Sequence, residues 1–131
     1  MRLQFEQEFP PVGGPLQYLR ETFSGKQWRL KALEELDALQ VAWRYRNTFD
    51  NPEGEAAREA LWIEVDGFTT LLANEGDLVN DEPPVVRLIE GRHRPGGQQE
   101  WEDVRRRLLD SAKTVIEAHE ELVRVGRKWR L

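Results

Sequence analysis

Cysteine is absent from this 131-residue chain. That excludes disulfides, thiolate nucleophiles and cysteine-based zinc sites. Long apolar runs are absent too. No stretch approaches the roughly 18 residues that a membrane-spanning helix needs. The first residues, Met1-Arg2-Leu3-Gln4-Phe5-Glu6, have no apolar core and carry acid early, so no signal peptide is expected and a cytoplasmic location follows by default. A net positive charge is missing as well. The formal charge is −5, so general attraction to nucleic acid is not expected. No Gly-rich phosphate-binding motif, internal repeat or low-complexity tract occurs.

Histidine and serine are scarce, which limits chemistry further. Ser24 and Ser111 are the serines, and His93 and His119 the histidines. Ser111 and His119 would lie about 12 Å apart along one helix, too far to form a hydrogen-bonded nucleophile pair. Ser24 fits a helix cap better.

Charged residues are plentiful at 33%, hydrophobic residues make up 39%, and there are five Trp. This composition suits a water-soluble helical protein. Arg far outnumbers Lys, and Arg is the better partner for bidentate carboxylate pairing. The strongest pattern runs from Gln98 to Leu131. Trp101, Leu108, Val115, Leu122 and Trp129 recur every seven residues, with Val104, Ala112, Ile116, His119 and Val123 beside them. This is one long amphipathic helix with a heptad-like seam. Acid at its start and base at its end suit the helix dipole. It would be about 50 Å long, more than a globule of this size can flank. Either Gly126 breaks it or something covers the overhang.

The rest of the chain reads as follows. Residues 1–14 form an extended arm carrying Phe5 and Phe9, closed by Pro10-Pro11-Val12-Gly13-Gly14-Pro15. Pro15 opens a short helix. Ser24-Gly25-Lys26-Gln27 matches a capping box, so a long helix is expected from there, with Trp28, Ala32, Leu33, Leu36, Leu39 and Trp43 on one face. Leu30, Val41, Tyr45 and Phe49 on its far side suggest contact from two directions. Asn51-Pro52-Glu53 caps the next long helix, whose face is Ala57, Leu61, Val65, Phe68 and Leu72. Asn74-Glu75-Gly76 ends it, and the two helices are expected to form an antiparallel hairpin. Residues 77–97 are an irregular connection. Within it 83–90 is expected to be a short helix capped by Asp81, with a strand as the alternative because of the β-branched Val85, Val86 and Ile89. The expectation is a single all-α domain over 1–131, an up-down bundle of three long helices plus one or two short ones and an N-terminal arm.

Three functional readings follow. The first is a protein–protein interaction or assembly module: an adaptor, regulator or structural subunit. It would self-associate as a homodimer or bind a helical partner, with Trp101, Trp129, Trp28, Phe5 and Phe9 at the interface. The second is an enzyme or a ligand or metal binder inside the bundle. His119 lies mid-face on the last helix, and Glu35 and Glu64 lie at the edges of the other apolar faces. The Glu-x-x-His repeat of di-metal bundles is not met, because Ile116 stands where its glutamate should be. The magnesium-binding acid pattern of helical nucleotide pyrophosphatases is incomplete too, as Glu34-Glu35-Leu36-Asp37-Ala38 lacks its last acid. No cofactor is predicted. The third reading is a nucleic-acid accessory protein using the basic tail, Arg124 to Arg130. Arg105, Arg106 and Arg107 point about 100° apart on a helix and so form no single patch. Arg92-His93-Arg94-Pro95-Gly96-Gly97 could meet an anion at a helix N-terminus, or simply be a solvated loop.

Overall fold

The computed structural model describes residues 27–45, 49–80 and 82–129. The Phe5/Phe9 arm, the short helix after Pro15, the Ser24 capping box and the Asp81 cap lie outside the described residues. The described chain is mostly helical. Strand β1 (Gln27–Arg29) leads into helix α1 (Leu30–Tyr45), followed by α2 (Pro52–Glu75), β2 (Gly76–Val79), β3 (Val85–Leu88), a 3-10 turn (Gly91–His93) and α3 (Gly97–Trp129).

The expectation of an all-α chain is corrected by a three-stranded antiparallel sheet of order β1-β3-β2. Trp28 therefore does not start α1. It pairs with Val86 across the sheet, as Leu78 does on the other side. The expected short helix at 83–90 is likewise the central strand. Val85 and Val86 suit a pleated, buried position, and flanking strands on both sides take up the backbone bonds that a lone segment would leave open. Within 77–97, β2 and β3 thus pair as antiparallel neighbours and residues 91–93 form a turn.

The boundaries of α2 follow from local chemistry. The Asn51 side chain accepts from the Gly54 amide at 2.8 Å, Pro52 takes the first turn, and Glu53 and Glu55 meet the positive helix end. Glu55 also accepts from the Phe49 amide at 2.7 Å and binds the buried Arg58 guanidinium. Those bonds hold its carboxyl below the usual glutamate range, the Arg58 contact being the larger cause. At the other end Gly76 is required by close approach. A Cβ there would lie 2.7 Å from Val86 Cγ1 and 2.9 Å from the Leu72 carbonyl.

Helices α2 and α3 run antiparallel. Glu64 meets Thr114 at 3.0 Å, and Glu53 near the start of α2 meets Trp129 at the end of α3. Leu61, Val65, Phe68 and Leu72 face Leu108, Ala112, Val115 and Leu122 in one core cluster. Burying each large aliphatic side chain is worth roughly 1.5–3 kcal/mol. Helix α1 meets α2 differently. Trp28 just before α1 touches Phe68 edge-on at 5.2 Å between ring centroids, while Gln40 well along α1 reaches Asp66. Both contacts fall within one turn of α2, which is a crossing contact rather than the lengthwise one of an up-down hairpin.

The long last helix is continuous. It passes through Gly126, which is buried, and runs to Trp129. Its 33 residues make about 50 Å against about 36 Å for the 24 of α2. The α2–α3 register puts the excess at the N-terminal end of α3. The chain's own 3-10 turn covers it. Gly91 packs so tightly on Gln98 that a Cβ would lie 2.9 Å from the Gln98 Cα. Gly97, at φ 61°, supplies the left-handed backbone that starts the helix.

Arg94 fastens this arrangement. Its side chain is only 6% exposed. Nε donates to the Ile89 carbonyl at 2.7 Å, Nη1 to the Glu75 carboxylate at 2.5 Å, and Nη2 to the Glu75 carbonyl at 2.9 Å. Arg94→Ala leaves those acceptors short of donors. We expect it to lower stability by about 2–3 kcal/mol in urea unfolding. Arg92→Ala in the same loop, with its side chain 73% exposed, is expected to change stability by less than about 0.5 kcal/mol. Equal effects of the two would refute the assignment of Arg94 as the fastener.

Candidate functional site

The residues singled out from sequence differ in burial and in partners. His119 is fully buried on α3. Glu64 is half-buried and accepts from the Thr114 hydroxyl at 3.0 Å. Glu35 is half-buried on α1. Among the described residues no group of three or more His, Asp or Glu side chains forms that could hold a metal ion, His119, Glu35 and Glu64 included. Trp28 is a core residue with no exposed surface, so the interface role expected of it is corrected. Phe5 and Phe9 lie outside the described residues.

The basic C-terminus is engaged with acid of its own chain. Glu53 accepts from the Trp129 indole at 2.7 Å and from Lys128 at 3.1 Å, with Arg124 at 3.7 Å. Arg124 also grips Glu121 at 2.5 Å, and the Lys128 ammonium stands 5.2 Å from the Trp129 ring centroid. These cations face carboxylates, not an open groove. The Trp129 bond, then the Lys128 bond, hold the Glu53 carboxyl below the usual glutamate range. The Arg124 bond does the same for Glu121.

Trp101 is placed otherwise. It is half-buried and packs against the main core, and it lines two neighbouring clefts. One cleft of about 500 Å³ runs between the end of β3, the 3-10 turn and α3, over Leu88 and Gly91, with Arg87, Glu90 and Arg92 at its edge. A second cleft of about 570 Å³ continues along α3, lined by Glu102, Arg105, Arg106 and Leu109. Gln98 and Trp101 belong to both. Of the loop expected to meet an anion, Arg94 is committed to the fold. Arg92 pairs with Glu90 at 2.7 Å and reaches the cleft, while His93 is exposed. Trp101 was visible in the heptad pattern. The first cleft was not, because the end of β3 and the turn make its far side, whereas the second is lined, among the described residues, by α3 alone.

No family model matches the chain, and no curated protein or solved structure matches it either. Among the described residues no helix is long and apolar enough to cross a membrane.

The Glu53 cluster carries a pH prediction. A carboxyl with a lowered folded-state pKa stabilises the fold above its unfolded value, and the contribution is lost as pH falls through the folded one. Amide protection over residues 124–129 should therefore weaken as pH drops below the ordinary glutamate range, about 4.3. In Glu53→Ala the protection should already be weak at neutral pH and change little on acidification. Hydrogen exchange showing the same acid response in both proteins would contradict this.

Proposed function

We propose that this chain is a small helical interaction or assembly module, an adaptor, regulator or structural subunit, that self-associates. The observation that carries the reading is the outer face of α2. Ala56, Ala60, Ile63 and Gly67 follow one another at helical spacing and are all exposed. Ile63 is 69% exposed, the most of any large apolar side chain described. A Cβ placed on Gly67 would meet nothing within 4 Å, so no described residue packs on this face at Gly67. Small residues around one large aliphatic side chain let a second helix approach closely, and removing Ile63 from water favours that approach. A two-fold dimer is the simplest closed form. A second copy of α2 laid here would extend the crossing helices of one chain toward the helical bundle that its sequence pattern suggests.

Light scattering coupled to size exclusion tests this. The wild-type chain should run at twice its 15.3 kDa mass. Ile63→Glu should run at the monomer mass with an unchanged circular dichroism spectrum, because Ile63 contributes little to the core. A wild-type protein that stays monomeric into the millimolar range would sink self-association. A dimer indifferent to Ile63→Glu would move the interface elsewhere.

A further inference from the structure

We propose that the two clefts flanking Trp101 bind an extended acidic segment of a partner protein, an apolar side chain entering over Leu88 and a carboxylate two residues away meeting Arg105 and Arg106. This goes beyond self-association and uses a different face of the chain.

Three observations support it. The first is shape. The clefts share Trp101 and Gln98 as a common wall. In extended chain, side chains at i and i+2 lie on one face about 7 Å apart. That spacing lets two side chains of one extended segment reach two adjacent clefts that share a wall. Trp101 and Leu109 pack against the core, so the wall is held before any ligand arrives, which limits the ordering cost of binding.

The second is chemical contrast. Leu88, Gly91 and the Trp101 ring make the floor of the first cleft apolar, and Leu88 is 3% exposed. The second is mainly polar, with Glu102, Arg105 and Arg106 beside Leu109. An apolar residue therefore fits the first and a charged one the second. A ligand with only one of these groups would leave half the surface unmatched.

The third is charge. Arg87, Arg92, Arg105 and Arg106 surround the clefts against Glu90, Glu102 and the adjoining Asp103, a small local excess of positive charge on a chain of net charge −5. The ion pairs that Arg92 and Arg106 make at the surface are weak. Arg92 with Glu90 and Arg106 with Asp103 at 3.8 Å both stand in water, where such a pair is worth about 0–1 kcal/mol. A planar guanidinium has donors to spare and takes a second carboxylate bidentately. The glutamates decide between anions. A carboxylate carries half the charge of a phosphate dianion, so it meets about half the repulsion from Glu90, Glu102 and Asp103 along the same rim. Trp and Arg together are the side chains most often found at binding hot spots.

The test uses the full-length protein labelled with ¹⁵N, whose indole N–H signals report each Trp separately. Trp101→Phe assigns the relevant signal. The probe is the peptide acetyl-Gly-Leu-Ser-Glu-Gly-amide, alongside the reversed order acetyl-Gly-Glu-Ser-Leu-Gly-amide, a Glu-to-Gln control and oligo(dT). One acidic peptide should move the Trp101 indole signal and leave those of Trp28 and Trp62 in place. The Gln control should bind about tenfold more weakly, as should the acidic peptide to Arg106→Glu, whose exposed position spares the fold. Ile63→Glu should bind the peptide like wild type, so failure of self-association and failure of this site are distinguishable. The proposal is overturned if neither acidic peptide moves the Trp101 signal at millimolar concentration. It is also overturned if Arg106→Glu leaves binding unchanged, or if oligo(dT) binds at Trp101 and the acidic peptides do not.

Discussion

The last carbonyl oxygen of α2, on Glu75, takes two donors. The Ile89 amide approaches at 3.0 Å and Arg94 Nη2 at 2.9 Å. A helix end leaves its final carbonyls without partners in the helix, and here a strand and a guanidinium supply them together. The consequences spread outward. Because Ile89 is held against Glu75, β3 exits along the end of α2. Because Arg94 is held there too, the 3-10 turn folds back and Gly91 meets Gln98. The overhanging start of α3 is thereby packed, and the space around Trp101 is bounded. A change at Arg94 would reach the clefts without touching them.

The opposite end of the α2–α3 pair is closed by charge. Helix α2 begins where α3 ends, so the positive end of one lies beside the negative end of the other. Glu53 satisfies both. It sits in the first turn of α2 and binds Lys128 and Trp129 in the last turn of α3. This arrangement engages Arg124, Lys128 and Trp129 of the basic tail with a carboxylate of the same chain. The same arginine-rich composition thus serves three different purposes: Arg94 and Arg58 inside the fold, Arg124 in a surface network, and Arg92, Arg105 and Arg106 around open space.

What was legible in the sequence was what local chemistry decides. Asn51-Pro52-Glu53 sets the start of α2 because a cap, a fixed φ and an acidic first turn act within a few residues. The seam of α3 was legible because its apolar positions repeat over many turns. The sheet was not. Ser24-Gly25-Lys26-Gln27 reads locally as a helix start, yet Gln27 to Arg29 are claimed by a strand far along the chain, and only the β-branched Val85 and Val86 hinted at it. Nor could Arg92 and Arg94 be told apart, since their different roles depend on where α2 ends. For His119, Glu35 and Glu64, helical spacing gave the face of each residue but not its neighbour, and Glu64 turns to Thr114.

The tryptophans show how burial sorts one residue type into different roles. Trp28 and Trp62 are core. Trp129 is 47% exposed, but Glu53 and Lys128 occupy its indole nitrogen and the space near its ring. Trp101 combines three properties: packing that fixes its position, a place in the wall of both clefts, and cations at the rim. A large aromatic held this way offers contact area at little further conformational cost, the condition under which it contributes most to binding. Ile63 offers the other kind of surface, apolar, small-flanked and uncharged at its centre. The two differ in what they would recognise. In the readings proposed above, the α2 face would discriminate by closeness of approach and the Trp101 clefts by charge and side-chain order, so self-association and binding of a different partner would use separate surfaces.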